Sequence, residues 1–206
     1  SAGSILLGGS FSSFNNISCE GIIRLSASGS PTALNTPFVV SWSTAINDIV
    51  TEAYGTFTVV GSLYISAPGP GFKSGIARLN SDGTRDTTFQ PNAGTHASGS
   101  TNSLRSPKTI LRQPDGKYII SGKFSAYDEN DVSNHARVMP DGSFDSSYTL
   151  PNVTHDTDTN FINVNESRRQ ASGKVIIGGY FNSPSDNLAR LNTDGSPDTS
   201  FDIGSG

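Results

Sequence analysis

Residues 113–124 of this 206-residue chain read QPDGKYIISGKF, and residues 170–181 repeat the pattern as QASGKVIIGGYF. Weaker copies occupy residues 55–63 and 3–11, so the pattern occurs four times. An arginine in an apolar run follows each copy and recurs at intervals of 53 to 59 residues. A repeat of this length is typical of a supersecondary unit that buries its apolar face only against neighbouring units. The pattern therefore predicts a repeat architecture.

Each unit reads as short strands joined by tight turns. Tyr118, Ile119 and Ile120 form a run of strand formers that is bounded by Gly116 and Gly122. The Pro-Asp-Gly turn before this run suits a hairpin, because proline presets φ and glycine accepts positive φ. No segment shows a sustained helical period. We predict an all-β protein, a β-propeller built from four repeats of about 50–60 residues with three to four short antiparallel strands per blade.

The predicted propeller is a single domain over residues 1–206. Its blades, called units 1 to 4 below, span approximately residues 3–40, 41–92, 104–152 and 160–206. Unit 1 opens at its second strand, so three first strands serve four units. The chain is then either a section of a longer array, or a ring that closes when its C-terminal segment pairs with its N-terminal strand. We favour a closed or nearly closed ring, since closure removes sheet edges, and the alternative is a homo-oligomer that completes the edge.

Four arginines stand five residues before a turn glycine, and they are Arg24, Arg78, Arg137 and Arg190. In three units an aspartate follows eight residues after the arginine, at Asp86, Asp145 and Asp198. This spacing predicts a bidentate ion pair within the blade, which would make these residues structural. The alternative is a ring of guanidinium groups that binds an anion in the central channel. We favour the structural interpretation.

Units 3 and 4 resemble a known repeat family. The segment QPDGK at 113–117 with Gly122 and Phe124, and the segments ARLNTDGS at 189–196 and DTSF at 198–201, are similar to the delta-60 repeat, a bacterial and phage repeat family regarded as propeller-forming. The resemblance covers essentially the whole chain. Unit 1 departs from it, with ASG at 27–29 instead of an Asp-Gly turn and Thr32 in place of the aspartate. The resemblance implies a propeller in a secreted or virion setting, and it implies no catalytic residues.

Composition restricts the partners. The net charge is -4, which gives no basic surface for nucleic acid. No apolar stretch is long enough for membrane insertion. Cys19 is the only cysteine, so an intrachain disulfide and a thiolate metal cluster are both excluded. We therefore expect a protein or a cell-surface glycan as partner, with neither nucleic acid nor membrane insertion.

One loop offers oxygen ligands at alternate positions. Asp156, Asp158 and Asn160 follow the opening of a calcium loop, because a hard cation takes several carboxylate and carbonyl oxygens from one tight turn. Phe161 and Ser167 then stand where an EF-hand needs glycine and glutamate. We predict no cofactor, with Ca²⁺ at this loop as the alternative. The histidines at 96, 135 and 155 lack metal-binding spacing.

Loops that differ between units are the predicted binding surface. The candidate binding residues are Tyr64, Phe72, Tyr127, Asp128 and Asp131, which combine aromatic rings with polar groups between the second and third strands. No catalytic motif is present, so we expect a non-enzymatic binding or assembly module of a phage tail or a bacterial extracellular protein. The setting would be the virion tail or the bacterial surface. The alternatives are a secreted glycan hydrolase or lyase carried on the propeller and a purely structural spacer.

Overall fold

The computed structural model describes residues 3–38, 44–66, 72–97, 100–104, 106–154 and 162–204. The predicted all-β fold is confirmed, and the described part contains one helical element, a 3₁₀ turn at Ala53–Gly55. The strands of units 1 and 2 are β1 Ile5–Gly8, β2 Ser13–Phe14, β3 Ile17–Ser18, β4 Ile22–Leu25, β5 Pro31–Thr32, β6 Ala45–Thr51, β7 Phe57–Ser66 and β8 Phe72–Leu79. Later strands are β9 Thr95–Ala97, β10 Ser100–Leu104, β11 Pro107–Arg112, β12 Tyr118–Gly122, β13 Ala126–Tyr127, β14 Asn130–Asp131, β15 His135–Val138, β16 Asn163–Arg169, β17 Val175–Tyr180 and β18 Leu188–Leu191. None of the helical elements in the described residues is long and apolar enough to cross a membrane.

Each unit contributes one small antiparallel sheet. The sheets have the strand orders β1-β4-β5, β6-β7-β8, β11-β12-β15 and β16-β17-β18. The fourth strand is the two-residue β5 in unit 1, and in units 2 to 4 it is reduced to one bridge each: Leu79 with Arg85, Val138 with Phe144 and Leu191 with Pro197. The expectation of three to four short strands per blade is met.

The described residues of unit 1 begin at residue 3 and contain no counterpart of the first strand of units 2 to 4. In the described residues β1 is the edge of its sheet and pairs only with β4. Residues 202–204 form no strand. Closure through a C-terminal segment paired with β1 is therefore not seen in the described part of the chain. The residue after β1 instead contacts unit 2, because the Ile46 amide donates to the Gly9 carbonyl at 3.0 Å.

The hydrophobic core lies between the sheets of consecutive units. One cluster joins Val60 and Ile76 of unit 2 to Ile110, Tyr118 and Phe124 of unit 3. Two further clusters join units 1 and 2 and units 3 and 4 in the same way. Strand side chains alternate between the two faces of a sheet, so each sheet has an apolar face that only its neighbour covers. The units depend on one another for stability.

A four-stranded sheet of order β10-β9-β13-β14 was not predicted. It joins the segment between units 2 and 3 to the hairpin that follows β12, through the pairs of Ala126 with His96 and Tyr127 with Thr95. Unit 1 has the shorter hairpin β2-β3 at the corresponding place. Both hairpins turn through two residues with positive φ, at Asn15 and Asn16 and at Asp128 and Glu129, which suits a two-residue hairpin turn.

Candidate functional site

The first strands of units 2, 3 and 4 each contain an irregularity at the same place. The pairing register shifts between Ile46 and Asp48 in β6, and equivalent shifts occur in β11 and β16. The extra residues are Asn47, Lys108 and Asn165, and all three are exposed. A β-bulge redirects a side chain and is frequent beside functional sites. Three equivalent bulges thus present three polar side chains.

Side chains around the bulges enclose a depression of about 340 Å³, which we call the bulge rim. Its lining residues are Asn47, Asp48, Lys108, Thr109, Asn165, Glu166 and Arg168. The size falls at the lower end of the roughly 300–1,000 Å³ that is typical of ligand pockets. The rim is lined by carboxylates, cations and amides, so it offers donors and acceptors together.

Asp48 ties one side of the rim to the next unit. Its Oδ1 accepts from the Ile49 amide at 2.8 Å, and its Oδ2 accepts from the Ile110 amide of unit 3 at 3.0 Å. Asn47 donates from Nδ2 to the Pro107 carbonyl at 2.8 Å. These bonds hold both side chains in fixed orientations, because each polar atom named here has a backbone partner.

Glu166 occupies the equivalent position in unit 4 and is more exposed. Its Oε1 accepts from the Ser167 amide at 2.9 Å and from Arg168 Nη1 at 2.6 Å. The side chains of Glu166 and Arg168 are 53% and 67% exposed. This pair contributes little to stability at such exposure, so it is available to a polar ligand.

The repeated arginines form the predicted ion pairs, but with a different geometry. The Nε atoms of Arg78, Arg137 and Arg190 lie 2.7, 2.7 and 2.6 Å from an Oδ2 of the aspartate eight residues later. The prediction of a bidentate ion pair is wrong, because the second oxygen of each aspartate accepts from a hydroxyl two residues further on, at Thr88, Ser147 or Ser200. The remaining guanidinium nitrogens reach that hydroxyl and, in units 2 and 3, a carbonyl of the next unit.

These contacts keep the aspartates ionised. For Asp145, burial opposes ionisation, but hydrogen bonds from Ser147, Lys117 and Arg137 outweigh it and hold the pKa of the carboxyl well below its usual range. Hydrogen bonds from Lys174, Ser200 and Arg190 lower the pKa of Asp198 in the same direction. The ion pairs hold the end of each blade together.

Arg24 differs because Thr32 stands where the other units have an aspartate. Its guanidinium lies 6.0 Å from the centre of the Phe57 ring, and its buried Nε has no acceptor in the described residues. None of the four arginines lines the bulge rim. The contacts therefore favour the structural interpretation over the anion-binding ring.

Tyr127 cannot be an exposed binding platform, and that prediction is wrong. Its ring is fully buried because β13 pairs with β9, and its hydroxyl donates to the Gly142 carbonyl at 2.6 Å. Burial raises the pKa of Tyr127 well above its usual range. The side chain belongs to the core of unit 3.

The other predicted loop residues do not converge with Tyr127 into one surface. Asp128 Oδ1 accepts from the Ala93 and Gly94 amides at 2.8 Å, so it anchors the loop before β9. Asp131 is exposed on β14, whereas Tyr64 is half-buried on β7 in a different sheet. Phe72 begins β8, and its side chain lies outside the described residues.

The predicted calcium loop, Asp156, Asp158 and Asn160, also lies outside the described residues. Within the part of the chain that the structure describes, no group of three or more His, Cys, Asp or Glu residues is arranged to hold a metal ion. Calcium at this loop stays a prediction.

Sequence reasoning missed the bulge rim. A signal for it was present in two of the three first strands, because two polar residues in succession interrupt their alternation at 47–48 and 108–109, whereas residues 165–169 of the third are all polar. Alternation has a period of two, so a doubled polar position indicates an inserted residue. The sequence could not show that the three insertions meet.

A buried polar network in unit 3 was also missed. His135 is fully buried, with Nδ1 at 2.8 Å from Ser121 Oγ and Nε2 at 3.0 Å from Tyr148 Oη. Burial lowers the pKa of His135 to about 3. The imidazole is therefore neutral, and the network is closed to solvent, which makes it a packing element.

A family model and a solved structure are similar to this chain. A solved protein of unknown function from Bacteroides caccae is similar at 12% identity over 96% of this chain and 94% of that chain, with a TM-score of 0.29. No curated protein matches the chain. A family model described as "Domain of unknown function (DUF5122) beta-propeller" matches residues 3–31, 55–89, 113–148 and 170–201, once in each unit. Because these segments cover more than half of the chain, the protein belongs to the DUF5122 β-propeller family.

Proposed function

We propose that the protein is a non-enzymatic binding module whose bulge rim takes a polyhydroxylated ligand, such as a cell-surface glycan. The observation that carries this proposal is the meeting of three equivalent bulges, which present Asn47, Lys108 and Asn165 around one depression. Amide, ammonium and carboxylate groups together supply the donors and acceptors that sugar hydroxyls require.

The carboxylates of the rim already accept hydrogen bonds within the protein, which supports ligand binding over glycan hydrolysis as the function. Both oxygens of Asp48 accept backbone amides, and Oε1 of Glu166 is shared between an amide and Arg168. Glycoside hydrolysis needs one carboxyl group to deliver a proton and a second to attack or activate water. Asp48 is committed to holding two units together, so we place it in the scaffold of the site.

The setting that we propose is a phage tail or a bacterial extracellular protein, and the finer family assignment that we propose is the delta-60 repeat. The support is the DTSF segment at 198–201 and the ARLNTDGS segment at 189–196, which are similar to that repeat. The ligand would then belong to a bacterial surface. The binding surface is moved from the loops around Tyr127 to the bulge rim, because Tyr127 is buried.

A glycan array printed with bacterial surface oligosaccharides tests the proposal. The wild-type protein is expected to bind at least one glycan class, and the triple variant Asn47→Ala, Lys108→Ala, Asn165→Ala to lose that signal. Each lost hydrogen bond costs about 1 kcal/mol, so calorimetry with the best glycan should show at least tenfold weaker binding.

The matched control is Arg169→Ala, which removes an exposed cation from β16 outside the rim. It should bind like the wild type. Binding that survives in the triple variant would refute the rim as the site, and an empty array would support the structural spacer. Shortened glycan products after incubation would favour the hydrolase.

A further inference from the structure

The three bulges that meet at the rim do not present the same kind of group. Units 2 and 4 contribute the side-chain amides of Asn47 and Asn165, whereas unit 3, which lies between them, contributes the ammonium of Lys108. A bulge re-aims the side chain of its extra residue, and all three side chains line the same depression. Among the three inserted residues, the central one alone carries a charge.

The Lys108 ammonium has no counter-ion within the protein. Lys108 is exposed, and no described residue forms an ion pair or a hydrogen bond with its side chain. By contrast, Lys117 and Lys174 bind the aspartates at their blade ends at 2.9 and 2.6 Å. Lys108 therefore keeps its three N–H donors for a ligand in the rim.

The two carboxylates of the rim are engaged elsewhere and do not neutralise Lys108. Both oxygens of Asp48 accept backbone amides, at 2.8 and 3.0 Å. Glu166 accepts from Arg168 at 2.6 Å, so its charge is compensated by a neighbour on the same strand. Hydrogen bonds and an opposite charge both stabilise an ionised carboxylate. The rim thus holds two engaged negative charges and one positive charge without a partner.

The hydrogen-bonding groups that remain free in the rim are mostly donors. Asn165 Oδ1 accepts from Asn163 Nδ2 at 2.7 Å, so this amide offers its Nδ2 hydrogens. Arg168 gives Nη1 to Glu166, and its Nε and Nη2 hydrogens have no acceptor among the described residues. The acceptors left in the same part of the chain are Asn47 Oδ1 and Glu166 Oε2. A surplus of donors beside an unpaired cation favours a ligand with an anionic acceptor.

We infer, on the basis of the proposed function, that the glycan bound at the rim is acidic and that a carboxylate of one of its sugars binds the Lys108 ammonium. The two carboxylates and two cations of the rim sum to zero, so a singly charged group suits it. A phosphate monoester would bring a charge of about -1.5 to -2 at pH 7 against a single free cation. The remaining amide and carboxylate oxygens, on Asn47 and Glu166, can accept from the sugar hydroxyls.

Isothermal titration calorimetry with matched probes tests the inference on the wild-type chain. The probes are the trisaccharides of galacturonate, glucuronate and mannuronate, each compared with its methyl ester, which keeps the hydroxyl groups and lacks the charges. At least one acid is expected to bind about tenfold more tightly than its ester, since a charge-assisted hydrogen bond is roughly twice as strong as a neutral one. The preference should shrink in about 0.5 M salt, because salt screens exposed charges.

Three variants assign the preference to Lys108. Lys108→Gln keeps a side-chain donor but removes the charge, so acid and ester should then bind with equal affinity. Lys108→Arg restores the charge and should restore the preference. The matched control is Arg169→Gln, which removes an exposed cation outside the rim and should keep the preference. Thermal unfolding checks that all variants are folded, as the exposure of Lys108 leads us to expect.

The results separate this inference from the proposed function. Equal binding of every acid and its ester by the wild type would overturn the inference, and so would an acid preference that survives in Lys108→Gln. If the glycan array shows only neutral glycans bound at the rim, the proposed function stands and the acidic ligand is refuted. An array with no bound glycan refutes both.

Discussion

Units 3 and 4 have closely related sequences but different surroundings. Each has a lysine and an arginine on the aspartate at its blade end, Asp145 in unit 3 and Asp198 in unit 4. In unit 3 the neighbouring aromatic, Tyr148, is buried under the turn of unit 4, whereas the equivalent Phe201 is half-buried. The same local chemistry therefore contributes differently to stability, according to whether a further unit packs on it. Differences between matched substitutions measure this contribution.

Removing the aromatic side chain should produce the largest difference. Tyr148→Ala is expected to lower the free energy of unfolding by about 4 kcal/mol, because it opens a cavity between two units. Phe201→Ala should lower it by about 1–2 kcal/mol, since that ring is only half-buried and its removal leaves no closed cavity. Urea unfolding of the monomeric chain at low concentration measures both. Equal losses would contradict the view that the turn of unit 4 buries Tyr148 more completely than Phe201 is buried.

Substitutions of two turn glycines, Gly195 in unit 4 and Gly29 in unit 1, test the same difference in packing between units. Gly195→Ala should cost about 3 kcal/mol, because the new Cβ would clash with the Thr149 carbonyl oxygen and the Tyr148 ring in addition to the strain of a positive φ. Gly29→Ala should cost only about 1 kcal/mol, since it has the same φ but an open surrounding. Thermal unfolding of both variants gives the difference. A Gly29→Ala loss as large as that of Gly195→Ala would show that the turn of unit 1 is already covered in the monomer.

The repeated arginine should have a smaller effect. Arg137→Ala removes hydrogen bonds to Asp145 and to the Thr193 carbonyl of unit 4, and we expect a loss of about 2 kcal/mol. Arg190→Ala removes bonds to Asp198 and Ser200 and, in the described part of the chain, none to another unit, so about 1 kcal/mol is expected. Melting temperatures at low concentration provide the measurement. Unchanged stability together with lost anion binding would instead favour the anion-binding ring of arginines.

The smallest difference expected near neutral pH is between the stabilities of the wild type and a variant without His135, and it grows as the pH falls. The pKa of His135 is about 3 in the folded chain and about 6.5 when unfolded, so only the unfolded chain takes up this proton in between. Stability should thus fall by about 1.4 kcal/mol per pH unit as pH drops below 6.5. His135→Leu, which copies Leu188 of unit 4, should lose this slope between pH 6.5 and 4.5. The same slope in both proteins would contradict a buried neutral imidazole.

That pH window isolates His135 from the carboxylates. The pKa values of Asp145 and Asp198 lie below the ordinary value of 3.8, so their contribution is present above that value and is lost only in stronger acid. Asp198→Asn is therefore a suitable control, since it should leave the slope between pH 6.5 and 4.5 unchanged.

Features that depend on a few neighbouring residues were predictable from the sequence. The four units, the Asp-Gly turns and the pairing of Arg137 with Asp145 follow from local spacing, because a tight turn and an eight-residue return bring those groups together. Two of the bulges could have been predicted as well, since doubled polar residues at 47–48 and 108–109 break the alternation of apolar and polar residues along the strands.

Tertiary structure alone decided which surfaces are covered. Tyr127 has the sequence context of a loop aromatic, but pairing with β9 buries it. The bulges meet only because three sheets stand side by side, and Tyr148 is buried only because the turn of unit 4 packs on it. Burial and convergence depend on contacts between residues some 60 positions apart, such as Asp48 with Ile110, and no local spacing specifies those contacts. The sequence by itself determined what one unit is, and the stacking of units determined which side chains are buried and where the three bulges meet.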